Sequence, residues 1–203
     1  MKRIADDIPG YTYGSPDAAV SPVTLDDLER LKLTVGWNDE DRDFLKLAGE
    51  VLGDQTRAVV LHWRSRIIAA IPHLARHFRS LEGLPLPGYL GRSNLRFEQW
   101  ILDTCLRPHD QEWLNYQFAI ALRHTGAKKN RTDSVRSTAY VPLSDILAFF
   151  AVMNESIRPF LAAKGHSNEA VDAMHRAWRK SMHIQSALMA RAYTNPKNGR
   201  NEW

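Results

Sequence analysis

Cysteine is nearly absent from this 203-residue chain: Cys105 stands alone, so no intramolecular disulfide can form and the composition fits a reducing compartment. A lone cysteine of this kind reads as a small buried apolar side chain. Long apolar runs are missing too. The longest, Ile146 to Met153, is bounded by Asp145 and Asn154 and falls short of the roughly 20 residues that cross a bilayer. Asp6-Asp7 and Pro9-Gly10 follow Met1-Lys2-Arg3 where a leader would need apolar residues, so a cytoplasmic location without a membrane span is expected. Neither sign of charge dominates. A net charge of +4, with acids interspersed among the bases, speaks for solubility and against a nucleic-acid partner. No Cys/His cluster has zinc spacing, no Ser/His/Asp set is apparent, and no segment alternates as a strand would.

What is present is helical periodicity, with 44% hydrophobic residues to build one core. The expected organisation is a single domain over 1–203, with an anchored irregular extension over 1–21 and a short polar tail over 195–203. Thr24 and Asp27 form a capping pattern ahead of Leu25, Leu28 and Leu31. Asn38 opens a longer helical pattern that reaches Trp63, with a break near Gly53, and Pro72 ends the next apolar stretch. Leu84 to Gly88 reads as a loop, and Tyr89 to Leu106 as a helix. Asp110 then caps a helix whose positions Trp113, Tyr116, Ile120 and His124 share one face, with Gly126 placed to stop it. Residues 127–140 read as loop, with Lys128-Lys129-Asn130-Arg131 as a solvated corner. Pro142 begins a long helix toward Lys164, kinked at Pro159. Ser167 caps the last helix, which carries Val171, Met174, Trp178 and Met182 on one face. The reading is all-α, with about eight helices. Periodicity leaves two roles open for His124: a hydrogen-bonded core residue, or a ligand held toward a pocket.

Four separated segments carry a family resemblance: Ile8-Pro9-Gly10-Tyr11-Thr12-Tyr13-Gly14, Trp100-Ile101-Leu102-Asp103-Thr104, the block from Asp110 to Asn130, and Arg158 to His166. In this order and spacing the chain resembles protoglobin, a single-domain haem globin related to globin-coupled sensors. The resemblance implies a globin-like helical sandwich with an N-terminal extension over the pocket and an extra N-terminal helix. It implies haem b (iron protoporphyrin IX) as cofactor and His124 as the iron ligand. It places Trp63 and Phe97 on the distal side, Arg96 near a haem propionate, and Tyr116, Ile146, Phe149 and Met153 on the apolar lining. Where the family usually has a distal tyrosine, this chain has Arg64. One extra residue also separates Trp63 from Pro72, which leaves Arg64, His62 and Ser65 as alternatives for the distal polar residue.

The function this implies is reversible binding of oxygen, carbon monoxide or nitric oxide at the histidine-ligated iron. An enzyme acting on peroxide, nitrogen oxides or, after engineering, carbene precursors is the first alternative. A gas-sensing module is the second; with the chain ending at Trp203, it is expected to act through a dimer or a separate partner. The resemblance implies a homodimer through the last two long helices, and the apolar positions Met174, Trp178 and Met182 are left with two roles, a dimer seam or the chain's own core.

Overall fold

A computed structural model describes residues 8–16 and 18–194, and among these the regular structure is helical, with one isolated bridge, Arg79 with Pro85, as the only β pairing. The helices are α1 (Leu25–Thr34), α2 (Asp39–Leu52), α3 (Thr56–Leu61), α4 (Pro72–Ala75), α5 (Pro87–Leu106), α6 (Gln111–Leu122), α7 (Leu143–Ser156), α8 (Arg158–Leu161) and α9 (Asn168–Tyr193). Residues 1–7 and the tail over 195–203 lie outside the described residues. Local chemistry sets the helix starts. Thr24 with Asp27, and Asn38 with Asp41, form reciprocal capping boxes; Asp110 accepts from the Trp113 amide at 2.8 Å and Ser167 from the Ala170 amide at 3.2 Å. Each such cap contributes about 1 kcal/mol. α5 begins at Pro87, inside the stretch read as loop, because proline suits a first helical turn.

α9 is the spine of the domain and packs on α2, α6 and α7. Its Met174, Trp178 and Met182 are fully buried within this one chain. Of the two roles open to this apolar face, seam or core, these three residues take the protein's own core. α2 and α5 cross at Gly49, where an added Cβ would lie 2.7 Å from the Cβ of Cys105. Only glycine permits that approach, and Cys105 is buried against it as expected.

The chain departs from regular helix at two places. After α3, residues His62–Ile67 form a π-helical turn, in which the Ile68 amide reaches back to the Trp63 carbonyl. A π turn accommodates an inserted residue within a helix. It lies in the stretch where the resemblance counts one extra residue before Pro72. The second departure lies at Ile157, where α7 gives way to α8 just ahead of Pro159. The stretch Leu143–Lys164 has a mean hydropathy of 1.4 over its most apolar 18 residues, enough by length and composition to cross a membrane. That is longer than the run read from sequence. Part of it packs on α9 and lines a cavity, with 28% of that window buried in this one chain.

Candidate functional site

The end of α6 delivers His124 to a cavity of about 190 Å³ bounded by α5, α6, α7 and the π turn. Regular helix stops at Leu122, two residues earlier than the periodicity implied, and His124 continues as a tight turn with its amide on the Ala121 carbonyl at 3.0 Å. Its own carbonyl accepts from the Val141 amide at 2.8 Å, which ties the turn to the start of α7. The ring is fixed as well, since Nδ1 lies 3.0 Å from the Ile120 carbonyl. A carbonyl can only accept, so Nδ1 carries the hydrogen and Nε2 presents a lone pair. Burial pulls the imidazole down to about 4, opposed by the Ile120 hydrogen bond and reinforced by the charges of Arg64, Arg123 and Lys129. At neutral pH this is an uncharged, oriented nitrogen base on an apolar cavity.

The walls are built from the expected residues with one exception. Ile146, Phe149 and Met153 project from α7, Tyr116 from α6 and Phe97 from α5. Trp63 does not line the cavity. It is fully buried behind Phe97, 5.1 Å between ring centres, and its Nε1 donates to Ser156 Oγ at 2.7 Å. The π turn rotates the next residue, Arg64, into the cavity in its place. The Trp100–Thr104 segment also has a structural account: Trp100 Nε1 donates to Gln185 Oε1 at 2.9 Å, and Gln185 Nε2 reaches Thr104 Oγ1 and Ser181 Oγ. This buried network joins α5 to α9 at the cavity floor.

Cations gather around the cavity. Arg96 lines it, but its guanidinium is held by Asp133 at 2.5 Å and by the Pro9 carbonyl at 2.6 Å. The residue expected near a propionate thus lies at the cavity, with a buried carboxylate as its present partner. Arg123 donates to the Gly10 carbonyl and to Thr12 Oγ1, with no ion pair among the described residues. Lys129, read as part of a solvated corner, is 2% exposed and donates to the His77 carbonyl at 3.2 Å. Burial lowers its ammonium to about 8. The N-terminal extension thus closes over this edge. Gly10, at φ +75°, makes the close approach to Arg96, while the Tyr11 hydroxyl donates to Asp103 at 2.6 Å. Tyr11 and Tyr13 each stand edge-on to Tyr116, with ring centres 5.5 Å apart.

A sequence model of the family described as Protoglobin matches residues 24–198. The chain belongs to the protoglobin family. Membership makes it a haem-binding globin that takes up gases, and the globin-like all-α expectation is met. No curated protein matches it. The match begins after the N-terminal extension, which seats on Arg96, Arg123 and Asp103.

The protoglobin cavity fits a haem on the chemistry of its own donors: one imidazole nitrogen with a free lone pair, apolar and aromatic walls, and cations at the rim for carboxylates. Of the three alternatives beside Trp63, Arg64 lines the cavity. Ser65 is exposed and His62 stands edge-on to Phe160, 6.0 Å between ring centres. Sequence reasoning missed Arg123, His77 and Lys129. His77 is buried with Nδ1 2.7 Å from Thr138 Oγ1, and burial lowers its basicity. Its signal was only that it follows Pro72 in a short helical turn. Lys129 carried none, since a lysine among polar residues looks solvated until the Ser137 and Tyr89 segments close over it.

Proposed function

We propose that this protoglobin binds haem b through His124 Nε2 and reversibly binds oxygen, carbon monoxide or nitric oxide in the cavity facing it. The observation that carries the reading is the pinned ring: the Nδ1–H to Ile120 carbonyl contact fixes the tautomer and leaves Nε2 bare toward the cavity. Bound haem would supply an iron with one coordination position for a gas. Phe97, Phe149, Ile146 and Met153 would exclude water from that position, and Tyr116 would pack on the macrocycle. Arg123, at the edge that the N-terminal extension covers, and Lys129, beside His77, would meet propionates. Arg96 would share in this only by loosening its pairing with Asp133.

Absorption spectra of the purified protein test the reading, ferric and ferrous, before and after carbon monoxide. A Soret band that moves on reduction and again with carbon monoxide supports it. A protein that fails to take up added haemin would refute it. The enzymatic alternative predicts peroxide turnover above that of free haemin. If two copies associate through α7 and α9, the contact uses outward positions such as Ala148 and Ala151, which are exposed, and sedimentation over a concentration series reads it out.

A further inference from the structure

Arg64 is a cation in an apolar setting without a counter-ion. Its guanidinium carbon lies 4.1 Å from the Phe78 ring centre and 5.2 Å from that of Phe97. Nε donates to Asn94 Oδ1 at 3.1 Å and one terminal nitrogen, Nη2, to Ser93 Oγ at 2.7 Å. Both acceptors are neutral, and they hold the plane of the fork. The other terminal nitrogen, Nη1, has no partner among the described residues, and the side chain lines the cavity that His124 faces. No carboxylate acts on Arg64: burial lowers it to about 10, and the only other influences are Tyr89 and the like charge of Arg96. It therefore stays charged at neutral pH. Two acids line the cavity, and both face other groups: Asp133 is held by Arg92 and Arg96, and Asp145 lies 3.6 Å from His77 and 3.9 Å from His73.

A buried charge ordinarily costs several kcal/mol unless an opposite charge meets it. The rim cations Arg123 and Lys129 sit elsewhere, beside the N-terminal extension and His77. Arg64 instead stands between the inner cavity and an outer groove, since Arg64, Ile68 and Phe78 border both. Arg79 lines the same groove, which adds a second positive charge on its outer side. Arg64 is thus part of the wall that the groove and the cavity share.

We infer that Arg64 makes this cavity an anion site, so that small monovalent anions of the azide or nitrite class are bound there in preference to neutral ligands of similar size. The inference rests on the haem reading and adds the ligand class. Arg64 offers one full charge and the unpaired N–H donors of Nη1. Ser93 and Asn94 hold that group in place, so little rotamer freedom is lost when an anion binds.

The test uses full-length protein loaded with one equivalent of haemin, followed by its Soret band. Azide and nitrite are titrated into the ferric form, imidazole serves as neutral ferric ligand, and carbon monoxide as neutral ferrous ligand. In Arg64→Met the azide and nitrite dissociation constants should rise roughly 10- to 100-fold, while those for imidazole and carbon monoxide move less than about threefold. Arg64→Lys, which keeps the charge and loses the fork, should fall between, and it covers the case in which the methionine variant does not fold. Unchanged anion affinity in either loaded variant overturns the inference, as does an equal change for azide and imidazole. Loss of haem retention with unchanged anion selectivity also overturns it, and would place the guanidinium on a haem carboxylate. A wild-type protein that takes up no haemin removes the haem reading and this inference together.

Discussion

α6 has a histidine just outside each end, and the two share a depressed basicity but differ in what holds and faces the ring. His109 precedes the cap Asp110; His124 follows the last full turn. Burial lowers each to about 4, so neither is charged at neutral pH. His109 lies against Trp113, 4.3 Å between ring centres, and Trp37, at 5.3 Å. It is part-exposed and does not line the cavity. His124 is tethered at Nδ1 and borders a cavity. A depressed pKa therefore does not distinguish a packed histidine from a prospective ligand; an oriented lone pair beside unfilled space does.

The sharpest way to break this comparison is to remove each ring in turn. His124→Ala should lower haem affinity by at least about 100-fold, read from haemin titrations of the Soret band. His109→Ala should leave that titration unchanged, and equal losses in the two variants would end the distinction.

Acid sharpens the comparison at about 3 kcal/mol. The folded-state pKa of His109 is depressed from 6.5 to about 4, so between those values the unfolded chain binds a proton that the native protein refuses. The stability contributed by the neutral ring is complete above pH 6.5 and is lost as pH falls toward 4. Urea unfolding of the haem-free protein across this range should show the loss, and His109→Phe should flatten it. A proton competes for His124 Nε2 only near pH 4 by the same sign. The Soret band should therefore persist at pH 5, and a release midpoint near 6.5 would contradict the assignment.

At neutral pH, His109→Ala should cost roughly 1 to 3 kcal/mol through its lost ring contacts, measured as a shift in the denaturation midpoint. The smallest effect concerns the lid on the other side of α6. Tyr11→Phe removes the 2.6 Å bond to Asp103 and should cost about 1 kcal/mol. It should also speed haem transfer to an acceptor protein, because the extension closes the edge beside Arg96 and Arg123.

Helix starts were legible in the chain because a cap is a contact between residues three apart. Thr24, Asn38, Asp110 and Ser167 are caps wherever the helix packs. Proline boundaries are equally local, hence the stops before Pro72 and Pro159. The apolar stripe of α9 was also readable, but whether Met174, Trp178 and Met182 meet another copy or this chain's own core was not, since both bury the same surface. Lys129 was misread for a similar reason: what removes it from water lies on segments far away in sequence, around His77 and Tyr89.

By itself the sequence determined the all-α class, the helix caps, the family segments and His124, through interactions spanning a turn or less and through residue types in order. Only the tertiary structure decided which neighbour of Trp63 enters the cavity. One added residue in a π turn rotates every following side chain by about 100°, the angle between successive residues in a helix with 3.6 per turn, and which of them faces inward depends on what packs against it. Phe78, Ser93, Asn94 and Phe97 do that for Arg64. The fold likewise decided that Arg96 meets Asp133 at the cavity edge, because two groups distant in sequence pair only after the fold has removed both from water.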